Sequence, residues 1–123
     1  MIISTGVDIV KVERFAKKQN PQFIKWVFSA YEQDYLAAKG PQSMAGLFAA
    51  KEAVAKAMGT GFVGFLPCEI EILHDEKGKP HVRLHGKAAE KIQVVSDTNH
   101  LKIHISISHS DSDAIAFAVL ETL

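Results

Sequence analysis

Residues 47–61, LFAAKEAVAKAMGTG, predict the long helix around which the rest of the fold is built. Small and apolar residues recur through the stretch at the spacing of a helix that packs against a core. Gly59 is positioned to end that helix in a left-handed conformation. The same helix carries Lys51, Glu52 and Lys56, and the chain leaves it through Gly-Thr-Gly. Three charged side chains on a helix that packs against a core predict that one face of the helix has a role besides packing.

The composition limits the class of protein. The chain has 123 residues, the size of one domain, so we predict a single domain spanning residues 1–123. Its 14 basic and 14 acidic residues balance, which disfavours a uniformly basic nucleic-acid binder. No apolar run approaches the ~18 residues of a membrane span, and the first ten residues lack the basic region of a signal peptide. Cys68 is the single cysteine, so no internal disulfide forms, which fits a cytoplasmic location.

The periodicity of apolar residues predicts an α+β fold with about five strands, mainly antiparallel, and helices packed on one side. The predicted strands are 2–10, 69–74, 81–85, 102–108 and 114–120. Besides the long helix, the predicted helices are 11–18, 21–28, 30–38 and 86–96. Ser29 and Glu32 have the spacing of a capping box, and Ser43 is the predicted N-cap of the long helix.

Glu52 and Lys56 allow two interpretations. They lie four residues apart on one helix face, where a Glu–Lys pair is often a solvated surface pair worth ~0.2–0.5 kcal/mol. Alternatively, the carboxylate ligates Mg²⁺ and the ammonium one turn later binds a phosphate oxygen. Asp8 poses the same choice within an apolar strand, because it either faces water or joins Glu52 as an oxygen ligand. His109, beside a turn, is either solvated or in contact with a ligand.

Four motifs together carry a resemblance to a known family. They are GVDIVKVERF at 6–15, FAAKEAVAKAMGTG at 48–61, DEKGKP at 75–80 and SISHS at 106–110. In this order and spacing they resemble the small, AcpS-type 4′-phosphopantetheinyl transferases, the holo-acyl-carrier-protein synthases. The resemblance covers nearly the whole chain and is weakest over 20–42 and 87–101.

The resemblance implies transfer of 4′-phosphopantetheine from coenzyme A to a serine of apo-acyl carrier protein, with release of adenosine 3′,5′-bisphosphate. It implies that Asp8 and Glu52 bind Mg²⁺, or Mn²⁺ in its place, and that Lys56 lies near the diphosphate. It leaves open whether Glu52 or a water on the metal accepts the serine proton. The remaining residues that it assigns to coenzyme A binding are Gly59, Thr60, Gly61, Gly78, Lys79, Pro80 and His109.

The family also implies protein partners. Residues 11–25 carry five basic side chains against Glu13, a local charge of +4 on a neutral chain. This segment is either a solvated helix face or a docking surface for an acidic carrier. Arg14 matches a carrier-contacting arginine of the family, and the neighbouring lysines that we assign to the same surface are Lys17, Lys18 and Lys25. The family is typically a homotrimer with its sites at subunit interfaces, and no nucleic acid or membrane is expected as a partner.

Two alternatives to the transferase remain open on the sequence. A metal-dependent nucleotide phosphohydrolase could use the same acids and lysine, and an inactive relative could bind coenzyme A without turnover. One position departs from the family, since Leu47 stands where many relatives have an arginine. Either the nucleotide loses one contact, or Leu47 packs in the core or at a subunit contact. A lost contact is either replaced by Lys51, Lys79 or His109, or it leaves a higher KM for coenzyme A.

Overall fold

The computed structural model describes residues 1–95 and 100–123. The strands in this part of the chain are β1 (Ile2–Lys11), β2 (Ile70–His74), β3 (Pro80–Leu84), β4 (Leu101–His109) and β5 (Asp113–Thr122). The α-helices there are α1 (Pro21–Val27), α2 (Ala30–Leu36), α3 (Pro41–Met58) and α4 (Gly86–Val95). Short 3₁₀ turns occur at Val12–Phe15 and Pro67–Glu69.

The strands form two antiparallel sheets, so the predicted α+β class is confirmed. The larger sheet has the order β1-β5-β4, and β2 and β3 form a separate hairpin. The long helix α3 packs on one face of the larger sheet, against all three of its strands. On β5 that face is built from Ala114, Ala116, Ala118 and Leu120, all buried. These small side chains let the helix lie close to the sheet, and sequence periodicity did not predict the division into two sheets.

The opposite face of the larger sheet is apolar and exposed. Val7 on β1 pairs with Phe117 on β5, and Ile9 pairs with Ile115, so the four side chains lie together. Each is at least two-fifths exposed, and Ile9 reaches 65%. This patch, the outer sheet face, is a candidate contact surface.

Local capping signals predicted several element ends correctly. Ser29 and Glu32 form the expected capping box at the start of α2. Gly59 ends α3 with φ 78°, in the left-handed region that favours glycine. Gly78, with φ 83°, lies in the turn between β2 and β3.

Two predictions of local structure were wrong. The helix predicted at 11–18 is a single 3₁₀ turn, Val12–Phe15. Residues three apart lie on the same face of a 3₁₀ helix, so one turn is enough to bury both Val12 and Phe15. Ser43 is not the N-cap of α3, because Pro41 takes the first helical position and Gly40 the cap. The last residue of the helix predicted at 86–96, Ser96, lies outside the described residues.

Lys51 is a buried cation in the core. Its ammonium donates to Glu32 Oε1 at 2.7 Å and to the Ile70 carbonyl at 2.6 Å. Glu32 in turn accepts from the Ile72 backbone N–H at 2.8 Å. Burial lowers the pKa of Lys51, an effect that Glu32 opposes. The pair therefore ties α2, α3 and β2 together, a role that the sequence analysis did not assign to it.

No α-helix in the described residues is long and apolar enough to cross a membrane.

We predict that Lys51→Met lowers the free energy of unfolding by about 3–5 kcal/mol, because it leaves the Glu32 carboxylate buried without its cation. Urea denaturation followed by circular dichroism measures the loss. The double variant Lys51→Met/Glu32→Gln removes both charges and should be more stable than Lys51→Met alone. A single variant within 1 kcal/mol of the parent protein would contradict the pair's role.

Candidate active site

The position of Asp8 depends on a close contact between β1 and α3. A Cβ on Gly6 would overlap the Ala53 carbonyl oxygen and lie 2.8 Å from the Ala57 nitrogen, so only glycine fits there. Two residues later, Asp8 pairs with Ala116 of β5, whose side chain is buried on the helix side of the sheet. Paired residues of an antiparallel sheet share a face, so Asp8 also points toward α3.

Asp8 and Lys56 form an ion pair at this contact. Lys56 Nζ lies 3.0 Å from Asp8 Oδ1 and donates to the Val7 carbonyl oxygen at 2.9 Å. The Asp8 side chain is 18% exposed and that of Lys56 is 52% exposed. The carboxylate is thus largely enclosed, whereas the ammonium remains accessible to a ligand.

Glu52 completes the group of charges, which we call the acid cluster (Asp8, Glu52 and Lys56). Burial raises the pKa of Glu52, the charge of Asp8 raises it further, and Lys56 and Arg14 oppose the shift. Two carboxylates therefore lie near enough to repel each other, although they are 44 positions apart in sequence. A solvated Glu–Lys surface pair would have neither a partly buried glutamate nor a second carboxylate beside it.

The Gly-Thr-Gly loop follows directly from the helix turn that carries Lys56. Gly59 and Gly61 have φ angles of 78° and 56°, and a Cβ on either would meet open space. Glycine is therefore needed for the turn itself, and the space beside it is free for a ligand. The Thr60 hydroxyl donates to the Gly61 carbonyl oxygen at 2.8 Å.

A second region gathers other predicted coenzyme A residues around a cavity of about 270 Å³. Gly78, Pro80 and His109 line it, and His109 is the last residue of β4. Lys79 lies between two lining residues but is not itself among those that line it. Its backbone N–H donates to Asp75 Oδ1 at 2.8 Å, which holds the turn.

In one chain the cavity and the acid cluster are separate. Leu47 lines the cavity, and it lies nine residues before Lys56 on α3. Nine residues make two and a half helical turns, so Leu47 and Lys56 are about 13 Å apart along the axis and point to opposite sides of the helix. The predicted coenzyme A residues of a single chain thus form two regions, and a ligand that contacts both must reach beyond one chain or bend around the helix.

Leu47 is a core residue, only 2% exposed, although it also lines the cavity. This agrees with the packing interpretation of its departure from the family. Lys51 cannot replace the missing arginine, because its ammonium is buried on Glu32.

The predicted docking residues divide between two places. Lys17, Lys18 and Lys25 line an apolar groove of about 530 Å³ whose other residues include Phe15, Ile24 and Leu36. We call this the basic groove. Arg14 lies outside it, with its guanidinium 4.7 Å from the centre of the Phe48 ring and near enough to influence Glu52. Arg14 therefore lies between the basic groove and the acid cluster.

Sequence analysis missed Gly6, Tyr35 and His74. Gly6 belongs to the motif at 6–15, but only the packing of β1 on α3 shows why glycine is needed there. Tyr35 and His74 both line the cavity, yet no local pattern links a helix residue to a strand end 39 positions away.

We expect Gly6→Ala to destabilise the protein by about 1–3 kcal/mol, the usual cost of overpacking, because the added methyl group must push β1 away from α3. Thermal unfolding by circular dichroism measures the effect. Gly40→Ala is the comparison variant, since its methyl group would meet only the flexible Gln42 side chain and the change should cost only the smaller loss of a glycine cap. Equal melting temperatures for the two variants would refute the close contact.

Comparison with known proteins places this geometry in a family. A family model described as the 4′-phosphopantetheinyl transferase superfamily matches residues 4–118. The holo-[acyl-carrier-protein] synthase of Clostridium perfringens (strain 13 / Type A) is 48% identical over an alignment of 126 residues, gaps included. The alignment covers 98% of this chain and 95% of that relative.

Solved structures agree with the sequence relatives. The holo-[acyl-carrier-protein] synthase of Neisseria meningitidis has a TM-score of 0.83 at 34% identity, covering 99% of this chain and 100% of that one. The Bacillus anthracis enzyme, solved in complex with CoA (3′,5′-ADP), has a TM-score of 0.79 at 32% identity, covering 100% and 99%. These similarities confirm the resemblance drawn from the four motifs.

Proposed function

The chain belongs to the 4′-phosphopantetheinyl transferase superfamily, and we propose that it transfers 4′-phosphopantetheine from coenzyme A to a serine of an apo-acyl carrier protein. The observation that carries the proposal is the acid cluster, in which Asp8, Glu52 and Lys56 meet from distant parts of the sequence. Adenosine 3′,5′-bisphosphate is the second product of this reaction. The Bacillus anthracis relative in complex with CoA (3′,5′-ADP) supports the choice of substrate.

The acid cluster fits a divalent cation. The charge of Asp8 helps to raise the pKa of Glu52, and such repulsion between carboxylates is relieved when both ligate one ion. Among the described residues no group of three or more metal-ligating side chains converges. An ion held by Asp8 and Glu52 alone would keep several water ligands, as Mg²⁺ usually does, and Mn²⁺ could take the same ligands.

Each part of the cluster then has a task in the transfer. The ion would neutralise charge that develops on the diphosphate oxygens. Lys56, half exposed, can turn from Asp8 to a phosphate oxygen and act there as a point charge. Gly59, Thr60 and Gly61 leave open space in which backbone N–H groups approach the same oxygens.

The cavity lined by Gly78, Pro80 and His109 is our proposed site for the adenosine end of coenzyme A, with Lys79 at its edge. We also propose a homotrimer with sites between subunits. The separation of the cavity from the acid cluster supports a shared site, and the exposed outer sheet face supports association. For the location we propose the cytoplasm, in line with the single free thiol of Cys68.

The acyl carrier protein is the proposed macromolecular partner. Carrier proteins are acidic, and Lys17, Lys18 and Lys25 surround an apolar groove that could accept an acidic amphipathic surface. Arg14 would meet the carrier where the basic groove approaches the acid cluster, close to the serine that is modified.

Intact-mass spectrometry of an apo-acyl carrier protein, incubated with this protein, coenzyme A and Mg²⁺, tests the function. We expect the carrier to gain one phosphopantetheine group, with an equimolar release of adenosine 3′,5′-bisphosphate. Coenzyme A hydrolysis without any carrier would instead identify a phosphohydrolase. Binding of coenzyme A without turnover, with several apo-carriers offered, would identify a non-catalytic subunit.

We predict that Asp8→Asn and Glu52→Gln each reduce transfer by about a hundredfold or more, the loss typical of one transition-state contact, without unfolding the protein. Because both acids would serve one ion, the double variant should lose little more than either single variant. Steady-state rates at saturating Mg²⁺ measure this, with Asp34→Asn, on the exposed face of α2, as the matched control. Near-normal turnover by folded Glu52→Gln would remove Glu52 from the site.

A separate prediction concerns carrier docking. Arg14→Ala should lower kcat/KM for the carrier by about two- to fivefold at low salt and leave the affinity for coenzyme A nearly unchanged. Added salt should reduce the difference, because it screens the attraction between the two proteins. Arg83→Ala removes the same charge from the exposed side of β3 and should have no effect. Unchanged carrier kinetics for Arg14→Ala would exclude Arg14 from the interface.

A further inference from the structure

The Arg14 side chain is exposed beside the acid cluster, yet it has no acidic partner. Among the described residues its guanidinium takes part in no ion pair. A guanidinium has five N–H donors in a fixed planar fork, which matches the two oxygens of a carboxylate. The donors of Arg14 are therefore available to a carboxylate of another molecule.

The guanidinium lies over the face of an aromatic ring instead of beside an acid. Its central carbon is 4.7 Å from the centre of the Phe48 ring and 5.6 Å from that of the Phe15 ring. Phe48 is only 8% exposed, and its ring centre lies 5.4 Å from that of Phe15 and 6.3 Å from that of Phe23. Because these packed rings hold one another in place, Phe48 offers the cation a fixed face.

The backbone of Arg14 is held as well. Gln19 Nε2 donates to the Arg14 carbonyl oxygen at 3.1 Å and to the Lys17 carbonyl oxygen at 2.8 Å. Both ends of the arginine are thus fixed, the backbone by Gln19 and the guanidinium by the ring of Phe48. A side chain that is already ordered loses less conformational freedom when it binds a partner.

Phe48 also connects Arg14 with the acid cluster. Phe48 and Glu52 are four residues apart on α3, so their side chains lie on one face of the helix. The charge of Arg14 acts on Glu52, in agreement with a guanidinium that lies over the ring one turn away. Without that ring, the exposed Arg14 side chain has other rotamers open to it, which point away from the cluster.

We propose that Phe48 is a positioning residue, whose ring holds the Arg14 guanidinium beside the acid cluster so that an acidic side chain of the carrier binds there. The proposal rests on the proposed function for the identity of the partner. Phe48 acts through Arg14 and needs no contact of its own with the carrier, because it is nearly buried. Phe48 and Arg14 should therefore contribute to docking as one unit.

A double-mutant cycle on kcat/KM for the carrier, measured at low salt, tests this coupling. Phe48→Leu keeps an apolar side chain in the cluster but removes the ring face. We expect it to lower kcat/KM about two- to fivefold, the size of one exposed cation–π contact, with nearly unchanged affinity for coenzyme A. The same change made in Arg14→Ala should have almost no effect. Added salt should reduce the loss, which it would not do for a packing defect.

Phe23→Leu is the matched control. The Phe23 ring belongs to the same cluster, but no cation of the residues that the structure describes lies over it. Its effect on kcat/KM should be the same in the parent protein and in Arg14→Ala. The melting temperatures of the two leucine variants compare their packing losses.

Nuclear magnetic resonance of the parent protein tests the geometry without any change at Phe48. Protons above the face of a phenyl ring are shielded, so the side-chain protons of Arg14 should resonate upfield of their usual positions. The chain has only one other arginine, Arg83, which is exposed and serves as the internal reference. Loss of the shielded signals in Arg14→Ala assigns them.

The outcomes separate this inference from the proposed function. If the parent protein modifies the carrier but Phe48→Leu causes an equal loss with and without Arg14, only the positioning role is overturned. Arg14 protons at the same shifts as those of Arg83 would also overturn it, even where Phe48→Leu fails to fold. If the parent protein modifies no apo-carrier, the proposed function fails and the docking role of Phe48 fails with it.

Discussion

Strand β1 and helix α3 meet backbone to backbone at Gly6, and the candidate site depends on that contact. With no side chain at Gly6, the strand lies directly against the helix backbone at Ala53 and Ala57. The Ser4 hydroxyl, on the same face, donates to the Ala57 carbonyl oxygen and fixes the strand along the helix. The same approach brings Asp8 to Lys56. A bulkier strand would leave room for water between these charges and weaken every interaction among them.

Neighbouring residues of α3 serve opposite purposes because they point about 100° apart around the helix. Lys51 is directed into the core, where Glu32 and the Ile70 carbonyl oxygen surround its ammonium. Glu52 is directed to the acid cluster. Two apolar residues could hold the helix equally well or better than a buried ion pair. The ion pair, however, also satisfies backbone groups of β2, so it fixes where the small hairpin attaches to the rest of the protein.

Much of the fold could be predicted from local sequence, because the deciding interactions are local. The capping box at Ser29 and the glycine at Gly59 act within one helical turn. In the strands, apolar and polar residues alternate, which is visible in the sequence itself. The role of Lys51 could not be predicted from local sequence, because its partner Glu32 lies 19 positions away. Ser43 was predicted as the cap because local sequence does not decide which turn of the helix comes first. Asp8 and Glu52 were candidates from their positions, and the resemblance of the motifs favoured the functional interpretation. Spacing alone left Glu52 and Lys56 open to two interpretations, a solvated helix pair or a site for metal and phosphate.

The outer sheet face has a consequence for how the protein is made. Its apolar residues come half from β1 and half from β5, and these strands pair over more than one hundred residues, as Asp8 does with Ala116. During synthesis β1 therefore emerges long before its hydrogen-bonding partner exists. The patch through which copies would associate cannot form on a nascent chain until β5 has left the ribosome. Premature association of unfinished chains through this face is thereby avoided, at the cost of leaving an unpaired β-branched strand exposed throughout translation.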